Sequence, residues 1–349
     1  MQSIGSHGAP QGSILAGLIF LIYSNDFPAS SNVGESVVYV DDNTDIVSAS
    51  DIDILQTKAQ VKADDSSSWL KANRMCVAGS KSKLLVVGTR HQKVVARQQI
   101  GLLTVKIDNK IITETTSEKL LGLILNNRFT WKEYLYGENW RTLGNSSGLL
   151  SQLSRRVGML KRLSKCVPKH RLKIFADGIF YSKLHYCLPV FGHVFSLDTY
   201  NVQGQRFAAY TKEDNRKLQV LQNTVMRILT GSKRRTPTEV LLKKTNSLSV
   251  HQSIAFQTIV LMRKILNSSK PTHLATKLLS QMKHDNVLRK QEGNVVVPRY
   301  QLNSSRAGFL YRAAKLFNSL PTNIKLEVNI HRFKNDVRTW VIQNIKVKP

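Results

Sequence analysis

The spacing of apolar residues changes once along this chain, near Trp131, and that change restricts the possible folds. Before Trp131, short β-branched and aromatic segments are separated by turn residues, which is typical of strands with a few helices between them. After Trp131, apolar residues recur about every 3.6 positions among Leu, Lys, Arg and Ser, which predicts helices. The sequence therefore predicts an α+β fold, with an antiparallel sheet and packed helices followed by a mainly helical region.

The segment before Trp131 contains one strong hairpin signal. Ser36–Val40 and Thr44–Ser48 are strand-like and flank Asp41-Asp42-Asn43, which predicts two strands joined by a tight acidic turn. Asp51 is a good N-cap for a helix of about 20 residues that runs through Leu70. Ile14–Tyr23 is apolar all round and predicts a helix buried in a core. Further strands are predicted at residues 83–88, 103–107, 110–113 and 119–125.

The segment after Trp131 predicts amphipathic helices with clear ends. Ser151–Lys165 carries an apolar stripe, and Lys217–Leu229 ends at Gly231, a typical helix stop, followed by Lys233-Arg234-Arg235. A last helical pair is predicted at residues 307–320 and 329–345, with Pro321 between them.

The charge of the chain favours a polyanionic partner. Lys and Arg number 51 against 23 Asp and Glu, a formal net charge of +28. Residues 1–65 hold only two basic residues and nine acidic ones, so the remainder holds 49 basic and 14 acidic residues. Any single basic cluster is equally well explained as a solvated helix face, but an excess of this size indicates contact with nucleic-acid phosphates.

Cysteine content and hydropathy exclude several classes of protein. Three cysteines without a C-x-x-C pair support neither a disulfide framework nor a structural zinc site. The longest apolar run, Ile14–Tyr23, has ten residues, fewer than the roughly 18 to 20 that span a bilayer, and no signal peptide is recognisable. We expect no membrane partner and an intracellular protein of the nucleus or cytoplasm.

The acidic turn is a candidate metal site. Adjacent carboxylates such as Asp41 and Asp42 repel each other unless a cation lies between them. Mg²⁺ prefers oxygen ligands and often takes one or two carboxylates together with substrate phosphates. Taken alone, however, the pair is better explained as a solvated β-turn, because acidic β-turns are common.

The surrounding motifs resemble one polymerase family. Tyr39-Val40-Asp41-Asp42, preceded by Gly8-Ala9-Pro10-Gln11-Gly12-Ser13, is similar to the Y-A-D-D box and G-V-P-Q-G-S loop of reverse transcriptases from jockey-like non-long-terminal-repeat retrotransposons. Ser80-Lys81-Ser82-Lys83 resembles the next box of that family. Leu121–Leu125 with Trp131 and the segment Phe317–Pro321 resemble later ones, so the likeness covers nearly the whole chain.

The resemblance implies a set of site residues and partners. It implies that Asp41 and Asp42 are Mg²⁺ ligands in two-metal nucleotidyl transfer, and that Lys81 or Lys83 protonates pyrophosphate. Pro10, Gln11 and Gly12 would line the template base and the nucleotide, and Tyr39 would pack beneath the primer end or serve only as a core aromatic. The implied partners are an RNA template with a DNA primer, or an RNA–DNA duplex. The duplex backbone would contact Arg155, Arg156, Lys161, Arg162 and Lys165.

The resemblance also implies domains and a limit on activity. It divides the chain into a partial palm (1–130), a helical thumb-like region (131–235) and a helical C-terminal region (236–349). Family members carry a further catalytic aspartate upstream of the G-x-P-Q-G loop, together with fingers, and the sequence contains neither. We therefore expect a polymerase fragment that is inactive by itself. The alternative is a non-catalytic, basic nucleic-acid-binding protein derived from a retroelement.

Overall fold

The computed structural model describes residues 13–79, 81–88, 90–108, 110–137, 147–194, 210–279, 293–299 and 308–347. The chain forms two compact units. The first unit comprises the described residues up to Gly122 together with Asn126–Arg128. The second unit comprises Leu123–Leu125 and the described residues from Phe129 onward. Small sheets and many helices together confirm the α+β class.

The first unit contains the predicted hairpin and a long helix. Strands β1 and β2 pair antiparallel, which confirms the hairpin, but its turn is shorter than predicted because Asp42 and Asn43 belong to β2. Helix α2 is N-capped by the Asp51 carboxylate, which accepts from the backbone N–H groups of Asp53 and Ile54, and this prediction is confirmed. The elements up to residue 126 are α1 (Ala16–Tyr23), β1 (Glu35–Tyr39), β2 (Asp42–Ile46), α2 (Ile52–Ala72), β3 (Leu84–Leu85), α3 (Arg90–Ile100), β4 (Thr104–Ile107), β5 (Lys110–Thr115), β6 (Ser117–Leu120) and β7 (Leu123–Asn126).

Helix α2 packs on the edge strand of a three-stranded sheet of order β3-β5-β4. The side chain of Gln60 both donates to and accepts from the backbone of Lys106 at 2.8 Å, and Gln56 bonds the backbone of Thr104 in the same way. Residues four apart on a helix rise about 6 Å, close to the two-residue repeat of a strand of about 6.7 Å. The two glutamines therefore form hydrogen bonds with the backbone N–H and C=O groups at the open edge of β4.

Two predictions for the residues before Trp131 are wrong. Helix α1 forms, but it buries no residue, and Ile22 is 70% exposed, because no other part of the described chain covers it. The single strand predicted at 119–125 is two strands, β6 and β7. Leu121 and Gly122 between them both have positive φ angles, of 46° and 82°, which break the extended conformation.

The second unit is helical. Its elements are α4 (Lys132–Tyr136), α5 (Leu149–Leu163), α6 (Lys169–Ala176), a π-helical turn (Asp177–Tyr181), α7 (Ser182–His185), α8 (Leu188–Phe191), α9 (Lys212–Thr230), α10 (Thr238–Thr245), α11 (Val250–Ser268), α12 (Thr272–Leu279), α13 (Phe309–Asn318), α14 (Thr322–Leu326) and α15 (Ile330–Asn344). The unit is built around α11, which starts with a capping box formed by Ser249 and Gln252 and packs against α8, α9, α13 and α15 in one continuous apolar core.

A buried carboxylate joins α4 to the start of α9. Asp214, 1% exposed, accepts from Lys132 Nζ at 2.8 and 2.9 Å and from the Tyr136 hydroxyl at 2.6 Å. It also accepts from the backbone N–H and hydroxyl of Thr211, each at 2.7 Å, within the capping box of α9. A buried charge is tolerated here because every lone pair of the carboxylate has a partner.

Candidate functional site

The candidate metal ligands lie at the tip of the β1–β2 hairpin. Tyr39 pairs with Asp42, so the loop between the strands consists of Val40 and Asp41 alone. Val40 has a φ of 56°, a left-handed conformation that costs a β-branched residue about 1–2 kcal/mol. Directly paired residues point to the same face of a hairpin, so the Tyr39 ring and the Asp42 carboxylate are neighbours. The fold thus presents Asp41 and Asp42 at a narrow, two-residue turn.

The two carboxylates are accessible and have no partner among the residues that the structure describes. Asp41 and Asp42 are both exposed, and Tyr39 is 62% exposed. No hydrogen bond or ion pair from the rest of the described chain engages either carboxylate. Their oxygen atoms are of the type that Mg²⁺ prefers, but two carboxylates complete only part of an octahedral shell. The described residues contain no group of three or more His, Cys, Asp or Glu side chains that could hold a metal ion. The hairpin turn therefore supplies two carboxylates of the ligand type that Mg²⁺ prefers, and the described residues add no third acidic, His or Cys side chain to them.

The hairpin is held against α2 by a set of residues that sequence reasoning missed. Asp45 on β2 accepts from Ser36 Oγ at 2.6 Å and from Ser66 Oγ on α2 at 3.1 Å. Lys62, one turn before Ser66, is 1% exposed, and its Nζ lies 3.8 Å from the Asp45 carboxylate. The i, i+4 spacing of Lys62 and Ser66 is a visible signal, but only the fold shows that both face Asp45.

Lys81 and Lys83, the other predicted site residues that the structure describes in the first unit, lie between α2 and β3. Lys81 is exposed in the turn after α2, where its backbone N–H donates to Ala78 O at 2.8 Å, and Lys83 is exposed just before β3. Within the described chain, no hydrogen bond or ion pair joins either lysine to Asp41 or Asp42. Pro10, Gln11 and Gly12 lie outside the described residues.

Four of the five predicted backbone-binding residues lie exposed on or just after α5. Arg155 and Arg162 lie on the helix face opposite Leu153 and Leu160, which are buried, and Lys161 is exposed on the flank of the helix. Lys165 is exposed in the turn that follows. The remaining residue, Arg156, is half-buried, and its guanidinium donates to the backbone carbonyl of Ile179. Arg156 therefore has a structural contact within the second unit, and the other four are free to meet a partner.

Comparisons with known proteins add no identification. Neither protein-family models nor curated protein sequences nor solved structures match the chain. Over the described residues, the helices are too short or too polar to cross a lipid bilayer.

Proposed function

We propose that this chain is part of an RNA-directed DNA polymerase of the non-long-terminal-repeat retrotransposon type. The observation that carries the proposal is the exposed Asp41–Asp42 pair at a two-residue hairpin turn, with Tyr39 directly opposite Asp42. The exposed cations of α5 support it, because they suit the sugar–phosphate backbone of an RNA–DNA duplex.

The proposed reaction joins the primer 3′-oxygen to the α-phosphorus of a nucleotide and breaks the bond to pyrophosphate. Magnesium, when bound, neutralises charge on the phosphates. Asp41 and Asp42 would hold it from the hairpin turn, and the Tyr39 ring would pack against the primer terminus. Lys81 or Lys83 would give a proton to the departing pyrophosphate.

A metal titration tests the hairpin. We expect Mn²⁺, followed by its electron paramagnetic resonance signal, to bind the intact chain, and D41N/D42N to weaken that binding at least tenfold. The matched control is D64N/D65N, which removes an adjacent acidic pair from α2. Equal binding by the two variants, with unchanged far-ultraviolet circular dichroism, would contradict the proposal.

Primer extension tests the limit on activity. Two metal ions need more carboxylate ligands than the two at the hairpin turn, and loss of one electrostatic group at such a site typically costs on the order of 10²–10³ in rate. We therefore expect the chain alone to bind an RNA template annealed to a DNA primer without extending it in Mg²⁺. Extension that disappears in D41N/D42N would show a complete active site instead.

The second candidate function is nucleic-acid binding without metal chemistry. It is favoured by Arg155, Lys161 and Arg162 of α5, which are exposed, form no ion pair within the described chain and need no metal site to bind phosphates. In that case the chain would still bind the duplex, and D41N/D42N would not change its affinity for Mn²⁺. The two measurements together therefore separate a polymerase fragment from a simple binding protein.

A further inference from the structure

Two basic segments that are far apart in the sequence meet at one end of the second unit. The first runs from the last turn of α5 to the start of α6, and the second is the loop after α9. We define the basic end as seven exposed residues: Lys161, Arg162, Lys165, Lys169, Lys233, Arg234 and Arg235. We propose that the basic end is a single surface that binds the sugar–phosphate backbone of nucleic acid, an inference that rests on the proposed function.

Packing of α5, α6 and α9 brings the two segments together. Leu150, near the start of α5, lines a groove with Val220 and Leu221 of α9. At the other end, a β-carbon placed on Gly231 would lie 3.2 Å from Lys169 Nζ. Helices α5 and α9 therefore run side by side in the same direction, so their C-terminal ends lie together. The start of α6 lies beside the end of α9.

Both segments have a fixed backbone. In the α5–α6 turn, the N–H groups of Lys165 and Val167 donate to Arg162 O and Leu163 O, at 3.1 and 2.8 Å. A defined turn presents its side chains in one arrangement, which lowers the entropy lost when a partner binds.

The loop after α9 is also closed on itself. The Gly231 N–H donates to Arg227 O at 2.8 Å, and Gly231 has a φ of 67°, which suits a glycine at a helix stop. The Thr236 N–H donates to Lys233 O at 3.1 Å, and Asn223 Nδ2 donates to Thr238 Oγ1 at 2.9 Å. These hydrogen bonds fix the conformation of the loop that carries Lys233, Arg234 and Arg235.

The charges of the basic end are not neutralised within the described chain. Ion pairs in the described part of the second unit, such as Lys132–Asp214 and Arg216–Glu213, include none of the seven residues. Cations near helix C-termini gain from the helix dipole, which accounts for Lys161 and Arg162 in the last turn of α5. The dipole effect falls off within one turn, so it does not explain Lys233, Arg234 and Arg235. Seven like charges on one surface instead indicate a polyanion.

The charge distribution favours nucleic acid over an acidic membrane. The cations come from two helices, the turn between them and one loop, so they cover a surface, whereas interfacial membrane binding typically uses one amphipathic helix with an apolar face. Lys and Arg spread in this way suit the regularly spaced phosphates of a duplex, which they contact without reading sequence.

A salt-dependence experiment on the intact chain tests the surface. We expect K233A/R234A/R235A to weaken binding to a fluorescent RNA–DNA duplex at least tenfold. We also expect the slope of log K against log salt to fall in magnitude by about 2 to 3, since each phosphate contact contributes about 0.9. The control K264A/K270A/R332A removes three exposed cations from α11, the loop after it and α15, and should bind as the intact chain does.

A footprint tests whether the two segments act together. A duplex of about 12 base pairs should protect Lys161, Lys165, Lys169 and Lys233 from acetylation, and leave Lys264 and Lys270 reactive. Protection of only one segment, or binding unchanged in K233A/R234A/R235A, would overturn the single surface while leaving the proposed function standing. Failure of the intact chain to bind any duplex would overturn both. Tighter binding to phosphatidylserine vesicles than to duplex at equal salt would assign the basic end to a membrane and overturn the inference.

Discussion

Replacing Asp214 with alanine should destabilise the second unit more than any change to a surface charge. The substitution leaves Lys132 Nζ, the Tyr136 hydroxyl and the Thr211 N–H without the carboxylate that they share. Removing one partner of a buried ion pair typically costs about 3–5 kcal/mol. Domains are stable by only about 5–15 kcal/mol, so D214A removes a large fraction of the free energy of unfolding.

The assay is thermal unfolding followed by circular dichroism at 222 nm, with D214A compared with E213Q. At about 2–4 °C per kcal/mol for a unit of this size, we expect D214A to lower the melting temperature by about 6–20 °C. Glu213 is the adjacent carboxylate, but it is exposed and forms a surface ion pair with Arg216 one turn away, so E213Q should change little. Equal shifts in the two variants would refute the argument from buried ion pairing.

The pH dependence provides an independent check. Burial by itself would raise the pKa of Asp214, but hydrogen bonds from Lys132, Tyr136 and Thr211 outweigh it and hold the pKa below its usual value of 3.8. The folded state therefore favours the ionised carboxylate, and its contribution is fully present above the unfolded pKa. The contribution is lost as the pH falls below 3.8 toward the folded pKa. The difference in stability between the intact chain and D214A should shrink over that range, and a constant difference would contradict the assignment.

Three further predictions concern single features of the fold. A β-carbon at Gly158 would meet no atom within 4 Å, so G158A should stabilise α5 by about 0.5–1 kcal/mol in urea unfolding, and destabilisation would show a clash. Q56L/Q60L should lower the stability of the first unit by about 0.5–1.5 kcal/mol per hydrogen bond lost at the edge of β4, whereas exposed K58L, on the same helix, should not. Burial lowers the pKa of His185 from 6.5 to about 4, so the unfolded chain binds more protons than the folded chain between these pH values. The free energy of unfolding should therefore fall by up to about 3 kcal/mol as the pH drops from 6.5 to 4, and H185F should remove this dependence.

Local signals predicted many of the elements of this chain. Asp51 as an N-cap, the strands around Asp41-Asp42 and the stop at Gly231 were all recognisable because caps, turns and alternation depend on a few neighbouring residues. Local signals failed for Ile14–Tyr23, whose apolar composition predicted a helix but could not show what would cover it. They also failed for 119–125, where apolar residues on both sides hid the turn at Leu121 and Gly122.

The candidate site divides in the same way. Asp41, Asp42 and the cations of α5 could be chosen from the sequence, because charge and turn chemistry are properties of the residues themselves. The hydrogen bond from Arg156 to the Ile179 carbonyl could not be predicted from the sequence, because it depends on how α5 packs against the π-helical turn after α6.

The sequence by itself determined the acidic hairpin, the helical second half and the excess of positive charge, since each follows from residue type and spacing. Only the tertiary structure decided that Lys62 and Ser66 hold the hairpin through Asp45, and that Lys169 lies beside Gly231. Such contacts join residues far apart in the chain. They form only when whole helices and strands pack, so their geometry is set by the burial of apolar faces and by no local pattern.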